Sequence, residues 1–359
     1  MNEPIIDLAT NWPAWPTYGL TQDLLPTIEN WAGQGRRVAV ATLVNIVGTS
    51  PRPLGSEMAI SDRGEVAGYV SGGCVEGAVA AEALAAMADG KPRLLDYGAG
   101  SPVLDVQLTC GGRIGIFVRV LEDAASYAAT LRSARDNRQL LEVHINLDNG
   151  KHRYGLPEAQ APSANPAANA VFIKSFPPAP RLIAIGKNPV TMAVCQLAEP
   201  LGYEVQLAVP YGPATPPPGA RLSHYDQRAL KTALAEVELD AWTAVYTLTH
   251  HPDDDVDVLT WALPSPAFAV GVLGSRTKIR ERLQRLSRQG LDQASINRLL
   301  APAGLDIGAQ GPREIALAIF AQIISLQPRA ACRLPVNYPA FDIMESTFGT
   351  PVCAVPSQA

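Results

Sequence analysis

Between Arg181 and Gly274 the chain repeats one pattern: a short apolar run, a helical segment, then another apolar run. "RLIAIG" leads into "PVTMAVCQLAEPLG" and "YEVQLAVP", and farther on "AWTAVYTLT" and "FAVGVLG" flank "DDDVDVLTWALP". Strand, helix and strand in this order give parallel neighbours joined by crossovers, and runs this apolar have to be covered on both faces. The pattern predicts a doubly wound parallel sheet.

The first half reads differently. A helical stretch from about Thr21 to Ala32 places Leu24, Leu25, Ile28 and Trp31 on one face, and "RRVAVATLVNIVGTS" has the profile of a buried strand. "EMAISDRGEVAGYVSGG" holds two short strands about Asp62-Arg63-Gly64, and the helix "CVEGAVAAEALAAMADGKP" stops at Gly90 and Pro92. "RLLDYGAGSPVLDVQLTCGGRIGIFVRVLED" supplies further strands, followed by the helical "AASYAATLRSARDN" and the strand "QLLEVHINLD". The Ala-, Pro- and Ser-rich stretch 155–180 has no sustained period and reads as a linker in which "AVFIKSF" can form one edge strand. The expected organisation is a mixed α/β domain over 1–154, the linker over 155–180, a doubly wound domain over 181–327 and an irregular tail over 328–359.

A length of 359 residues with 47% hydrophobic and 18% charged residues describes two folded domains, not a disordered chain. A net charge of −5 argues against sequence-independent nucleic-acid binding. The basic run "SRTKIRERLQRLSRQG" mixes in acid at helical spacing and reads as a solvated helix face. No window reaches the ~18 apolar residues of a membrane span, and the first residues lack the basic-then-apolar pattern of an export signal. The five cysteines are scattered and form no CxxC pair, so reduced thiols in the cytoplasm are expected.

Two of those cysteines adjoin glycine pairs. In "SGGCVEG", Ser71, Gly72 and Gly73 precede Cys74 and Glu76, and in "LTCGG", Cys110 precedes Gly111 and Gly112. Glycines let consecutive amides converge on one point, and the start of a helix adds unpaired N–H groups. A thiolate is stabilised in such a nest and can ligate a soft metal or sit beside a phosphate. The competing reading of each cysteine is a small residue filling space between helix and strand. Glu76 has two readings as well, as an acceptor for a ligand or as a complement to the helix N-terminus. In "GTSPRPLGSEM", Arg52 offers a bidentate anion contact, Ser50 and Ser56 offer hydroxyls, and Gly55 permits close approach; a proline-stiffened turn with a solvated arginine is the alternative.

In the second half the turn after the first strand, Gly186-Lys187-Asn188-Pro189-Val190-Thr191, keeps the first glycine of G-x-G-x-x-G and replaces the other two. No acid stands near Val209 to take a ribose. Lys187 favours a phosphate at the helix start, but the Asn188 side chain crowds the approach, and NAD(P) is not expected. Gly274, Ser275 and Arg276 follow a strand end, the usual rim of a ligand crevice. The acids Asp253, Asp254 and Asp255 are expected to complement a helix start rather than ligate metal. Cys195 is expected in the core.

Taken together, "VATLVNIVGTSPRPLGSEMAISDRGEVAGYVSGGCVEGAV", "LTCGG", "TLTHHPDDDVDVLTWAL", "GVLGSRTKIRERL" and "APAGLDIGAQGPREIALAIFAQII" resemble the XdhC/CoxI family of xanthine dehydrogenase accessory factors, from about Arg37 to Leu326. The resemblance implies an N-terminal mixed α/β XdhC/CoxI domain and a C-terminal Rossmann-like domain. It further implies a chaperone that binds the molybdenum cofactor (molybdopterin or its nucleotide form), supports its sulfuration, and helps insert it into a molybdenum hydroxylase client. A cysteine desulfurase partner and a homodimer are implied as well. Cys74 and Cys110 become the expected reactive thiols, with Cys74 the contact to molybdenum or sulfur. The departures at Asn188, Thr191 and Val209 set the second domain apart from relatives with a fuller glycine pattern. Two other functions stay open at this point: an NAD(P)-dependent oxidoreductase and a scaffold that docks desulfurase and hydroxylase without touching the cofactor.

Overall fold

The computed structural model describes residues 17–101, 108, 111–156, 171–249, 251–329 and 332. These fall into two compact units, one running to Pro177 and including Cys332, the other from Pro178 to Arg329.

The first unit is built on one strand. β1 (Val38–Val47) lies at the centre of a five-stranded sheet with β2 (Glu57–Ser61), β3 (Val66–Gly68), β4 (Arg93–Gly98) and β5 (Arg113–Val120), in the order β3-β2-β1-β5-β4, every pair antiparallel. Successive side chains of a strand point to opposite faces. Val38, Val40 and Val44 therefore enter one core, with α1 (Leu25–Gly33) and α3 (Ala124–Asp136), whereas Ala39, Ala41 and Leu43 enter another, with α2 (Glu76–Asp89). The small face of α2, Ala80, Ala83 and Ala86, is fully buried and lets the helix lie close on the sheet. Gly90 ends α2 in the left-handed conformation at φ 72°.

Three strands form a second antiparallel sheet in the same unit: β6 (Leu141–Asn146) at the centre, β7 (His152–Gly155) and β8 (Val171–Phe176) at the edges. "VFIKSF", within the expected linker, is thus an edge strand.

The second unit is the doubly wound sheet read from the alternation. Its strands β9 (Arg181–Ile185), β10 (Glu204–Ala208), β11 (His224–Asp226), β12 (Thr243–Thr247), β13 (Ala269–Val272) and β14 (Leu299–Leu300) are all parallel, in the order β11-β10-β9-β12-β13-β14. That is the 3-2-1-4-5-6 order of a Rossmann sheet. Leu182 and Ala184 of β9 pack with α4 (Pro189–Ala198) and α9 (Pro312–Leu326), while Ile183 and Ile185 face the core shared with α5 (Leu230–Ala235), α6 (Pro252–Ala262), α7 (Arg276–Arg288) and α8 (Gln293–Asn297). Cys195 of α4 is fully buried, as expected, and burial pushes its thiol up to about 12.

One charged group departs from the solvated reading, and the acid it pairs with stands at a helix start as expected. Asp255 is fully buried in the first turn of α6: its Oδ1 accepts from the Thr249 hydroxyl at 2.7 Å and from Thr247, and its Oδ2 meets Arg282. Arg282, from the basic run expected to face solvent, is 2% exposed. Acid and base are drawn inward as a pair, which neither would be singly.

Candidate functional site

The antiparallel order brings the end of β1, the start of β2, the ends of β3 and β4 and the start of β5 to one edge of the sheet, along with the N-terminus of α2. Three glycine-bearing loops meet there. A Cβ on Gly112 would run into the Thr49 carbonyl, one on Gly98 into the Gly112 carbonyl, and one on Gly72 would stand 3.5 Å from Pro51. The segment around Thr49 and Pro51 thus lies against both expected glycine pairs. Gly111 takes φ 71°; its neighbour Cys110 lies outside the described residues.

The loop before α2 is organised by Glu76. This carboxylate is 1% exposed, and its Oε1 accepts from the amides of Val70 (3.1 Å), Ser71 (2.8 Å) and Gly72 (3.1 Å). Its Oε2 accepts from the Gly73 amide (2.9 Å), the Val75 amide (3.2 Å) and the Ser71 hydroxyl (2.7 Å). Ser71 Oγ in turn accepts from the amides of Cys74 (3.1 Å) and Val75 (3.2 Å). Gly72 and Gly73, at φ 95° and 107°, adopt the backbone that turns their N–H groups inward. The expected nest is therefore real, but the anion in it is the chain's own carboxylate. Of the two readings of Glu76, the helix-start one is seen, extended to the whole loop. The amides are not directed at the Cys74 sulfur or at a ligand phosphate. Ser71, Gly72, Gly73 and Glu76 build a pedestal, and Cys74 stands on it as an exposed thiol.

Across the rim, the Arg52 guanidinium lies over the Tyr69 ring, 4.4 Å from its centroid, and its buried Nε has no hydrogen-bond partner among the described residues. The Ser50 hydroxyl accepts from the Arg52 amide at 3.3 Å and so shapes the turn. Gly55 and Ser56 do not take the expected places on the rim. Both are buried: the Gly55 amide donates to the Leu43 carbonyl at 2.8 Å, a Cβ there would strike Cys332, and the Ser56 hydroxyl donates to the Pro53 carbonyl at 2.7 Å. The proline-rich turn packs its second half against the interior and leaves Arg52 partly exposed between the exposed Pro51 and Pro53.

Sequence reading missed Tyr69, Tyr18 and the pair Asp96–Arg113. Tyr69 directly precedes the glycine loop, and an aromatic beside an Arg-bearing loop was a usable signal. Burial, with the Glu76 charge nearby, pushes the Tyr18 phenol up to about 12. Arg113 Nε donates to Asp96 at 2.8 Å and ties the start of β5 to β4 below the loops. A soft thiol, a cation on an aromatic platform and a rigid backbone turn suit an anionic, sulfur-liganded group, and the orphaned Arg52 Nε is the polar atom such a group would satisfy. Among the described residues there is no cluster of three metal-ligating side chains of the His, Cys, Asp or Glu type.

In the second unit, Gly186 at φ 145° brings the turn against the loop after β12, where a Cβ would stand 2.8 Å from the Leu248 carbonyl. Asn188 is extended, not left-handed, and caps α4: its Oδ1 accepts from the Thr191 amide (2.9 Å) and hydroxyl (3.1 Å), and its Nδ2 donates to the Leu248 carbonyl. One side chain thereby bridges the β9 and β12 ends at the point where the strand order reverses, and a phosphate at this helix start would have to displace it. Lys187 is exposed beside it. Gly274, Ser275 and Arg276 lie at the same carboxyl edge after β13. Ser275 caps α7, Arg276 is exposed, and Gly274 leaves room for the buried Arg282 beneath it.

Residues 31–98 match the profile of the XdhC and CoxI family, and residues 182–323 match that of the XdhC Rossmann domain. The chain is 31% identical over 337 residues to the molybdenum cofactor insertion chaperone PaoD of Escherichia coli, covering 91% of this chain and 96% of that protein. It is 23% identical over 323 residues to a probable xanthine dehydrogenase subunit of Bacillus subtilis, covering 81% of this chain and 94% of the relative. A crystal structure from Bacillus halodurans described as a xanthine dehydrogenase shares the fold, with a TM-score of 0.69 at 21% identity over 84% of this chain and 95% of that one. With both domains matched in order and a relative 31% identical over 91% of the chain, this chain belongs to the XdhC and CoxI family.

Proposed function

We propose that this protein is a molybdenum cofactor chaperone that holds the cofactor at the Cys74 rim, supports its sulfuration and passes it to a xanthine dehydrogenase-type hydroxylase. The observation that carries the reading is the exposed thiol of Cys74 on a turn immobilised by Glu76, with Gly72 of that turn lying against Pro51, the neighbour of Arg52, whose guanidinium stacks on Tyr69. The similarity to a molybdenum cofactor insertion chaperone over 91% of the chain supports it. Cys74 would supply a soft ligand to molybdenum or sulfur, Arg52 would meet the phosphate or another anionic group, and Gly72 and Gly73 keep the surface beside the thiol free of side chains. Cys110, outside the described residues, is proposed as the second reactive thiol. A cysteine desulfurase, a hydroxylase client and a second copy of this chain are the partners proposed, in the cytoplasm. No helix among the described residues is long and apolar enough to cross a membrane.

Purified protein incubated with molybdopterin and desalted should retain pterin and molybdenum together. C74A should retain at least ~10-fold less metal at similar stability, since an exposed position outside the core costs only a few tenths of a kcal/mol to change. R52A should weaken pterin retention. Wild-type protein that retains no pterin, or C74A protein that activates the client as fully as wild type, would overturn the reading.

A further inference from the structure

We propose that the N-terminal unit carries a second ligand site, for a phosphate group, in the cavity built around Arg119. The cavity, of about 430 Å³, lies at the edge of the five-stranded sheet opposite the Cys74 rim, where β1 and β4 begin and β5 ends. A strand rises ~3.3 Å per residue, so the length of β5 separates the two edges by roughly 20 Å. The site is therefore distinct from the rim and does not depend on the cofactor reading.

Arg119 is the anchor. It is 1% exposed, on the face of β5 that also carries Phe117. Its Nη1 is 3.2 Å from His152 Nδ1, and its guanidinium lies 5.2 Å from the centroid of the Tyr127 ring. Nε and Nη2 are buried without a hydrogen-bond partner among the described residues. An arginine cannot shed its proton and has no acceptor atoms, so His152 Nδ1 must accept from it, leaving Nε2–H to donate to the Tyr154 hydroxyl at 3.0 Å. His152 is thus committed as a neutral ring and supplies no counter-charge. A buried cation with two idle donors is destabilising unless an anion completes it.

The walls favour an anion with more than one charge. Arg36, Arg37 and Lys151 join Arg119 in lining the cavity, against the one lining carboxylate of Glu122. Arg36 is engaged with Glu65, and Arg37 donates to the Met87 carbonyl, whereas Lys151 is exposed at the mouth. The planar fork of Arg119 and the point charge of Lys151 match the geometry and double charge of a phosphate better than the single charge of a carboxylate. The space exceeds a bare ion and admits a small organic phosphomonoester.

The test is titration of the full-length protein at low ionic strength with inorganic phosphate and, separately, phenyl phosphate, read by calorimetry and by the shift in thermal midpoint. One saturable equivalent per chain is expected. K151E, a surface change that leaves the core intact, should weaken binding at least ~5-fold, and R119M, near in volume, at least ~10-fold. Tighter binding of phenyl phosphate than of phosphate assigns the site to a phosphate ester, and equal binding assigns it to the free ion; either supports the site. No saturable binding of either probe, or K151E binding both as wild type does, would overturn it, even if R119M fails to fold.

Discussion

At the residue scale, Glu76 decides what the glycine loop is. A run of Ser, Gly, Gly and Cys before a helix offers amides to any nearby anion, and the sign of φ at Gly72 and Gly73 settles whether they point outward or back. Glycine populates both, so that choice is not written in the residues 71–75 themselves. What was legible was an acid in the first helical turn. What was not is that its side chain folds back to collect the amides of Val70, Ser71, Gly72, Gly73 and Val75, leaving that of Cys74 to the Ser71 hydroxyl. E76Q puts an amide –NH2 among donors and should cost about 3 kcal/mol, the scale of losing charge-assisted hydrogen bonds while leaving buried donors idle. Urea unfolding would show a lower midpoint at unchanged m-value, and a midpoint within error of wild type would contradict the pedestal. Arg282 and Asp255 teach the converse: one reads as part of a solvated face and the other as a helix-start acid, and only the packing of α7 on α6 makes them partners.

At the element scale, strands and helices were readable because their apolar runs are long and their stops are glycine and proline. The all-parallel sheet follows from alternation, and the bulk of Asn188 in the turn is plain from the residue type, though not its place as the clasp between β9 and β12. Of the small sheet β7-β6-β8, the strands β6 and β8 were readable, but β7 was not, nor was the pairing of β6 with β8, whose separation in sequence leaves no local mark. Its hairpin is fastened to β5 and α3 by His152, which touches Arg119, lies edge-on to Tyr127 at 5.2 Å and bonds Tyr154. Burial first, then the Arg119 charge, lower the His152 pKa from 6.5 to about 4, with Glu122 opposing. The unfolded chain therefore takes up the proton first as pH falls. This contribution to stability is complete above pH 6.5 and is lost progressively as pH falls toward 4. Urea midpoints measured at pH 7 and pH 5 should fall further in wild type than in H152Q; parallel decreases would show that His152 is not held neutral.

At the scale of the whole molecule, the two units have separate sheets and separate cores. Mutational effects that share no partners add independently, and so should those placed in different cores. In native-state hydrogen exchange, E76Q is expected to lower protection across β1, β5 and α2 and to leave β9, β12 and α9 as in wild type. An equal loss in both units would mean that they unfold as one.

The self-filled loop also bears on how a cargo would leave. Under the proposed function, a guest resting on the thiol would find the neighbouring main-chain donors already engaged, and would be gripped by a handful of side chains and freed by breaking as few. A handling surface of that kind needs no reshaping between loads, and the next protein in line has only to offer a slightly better seat.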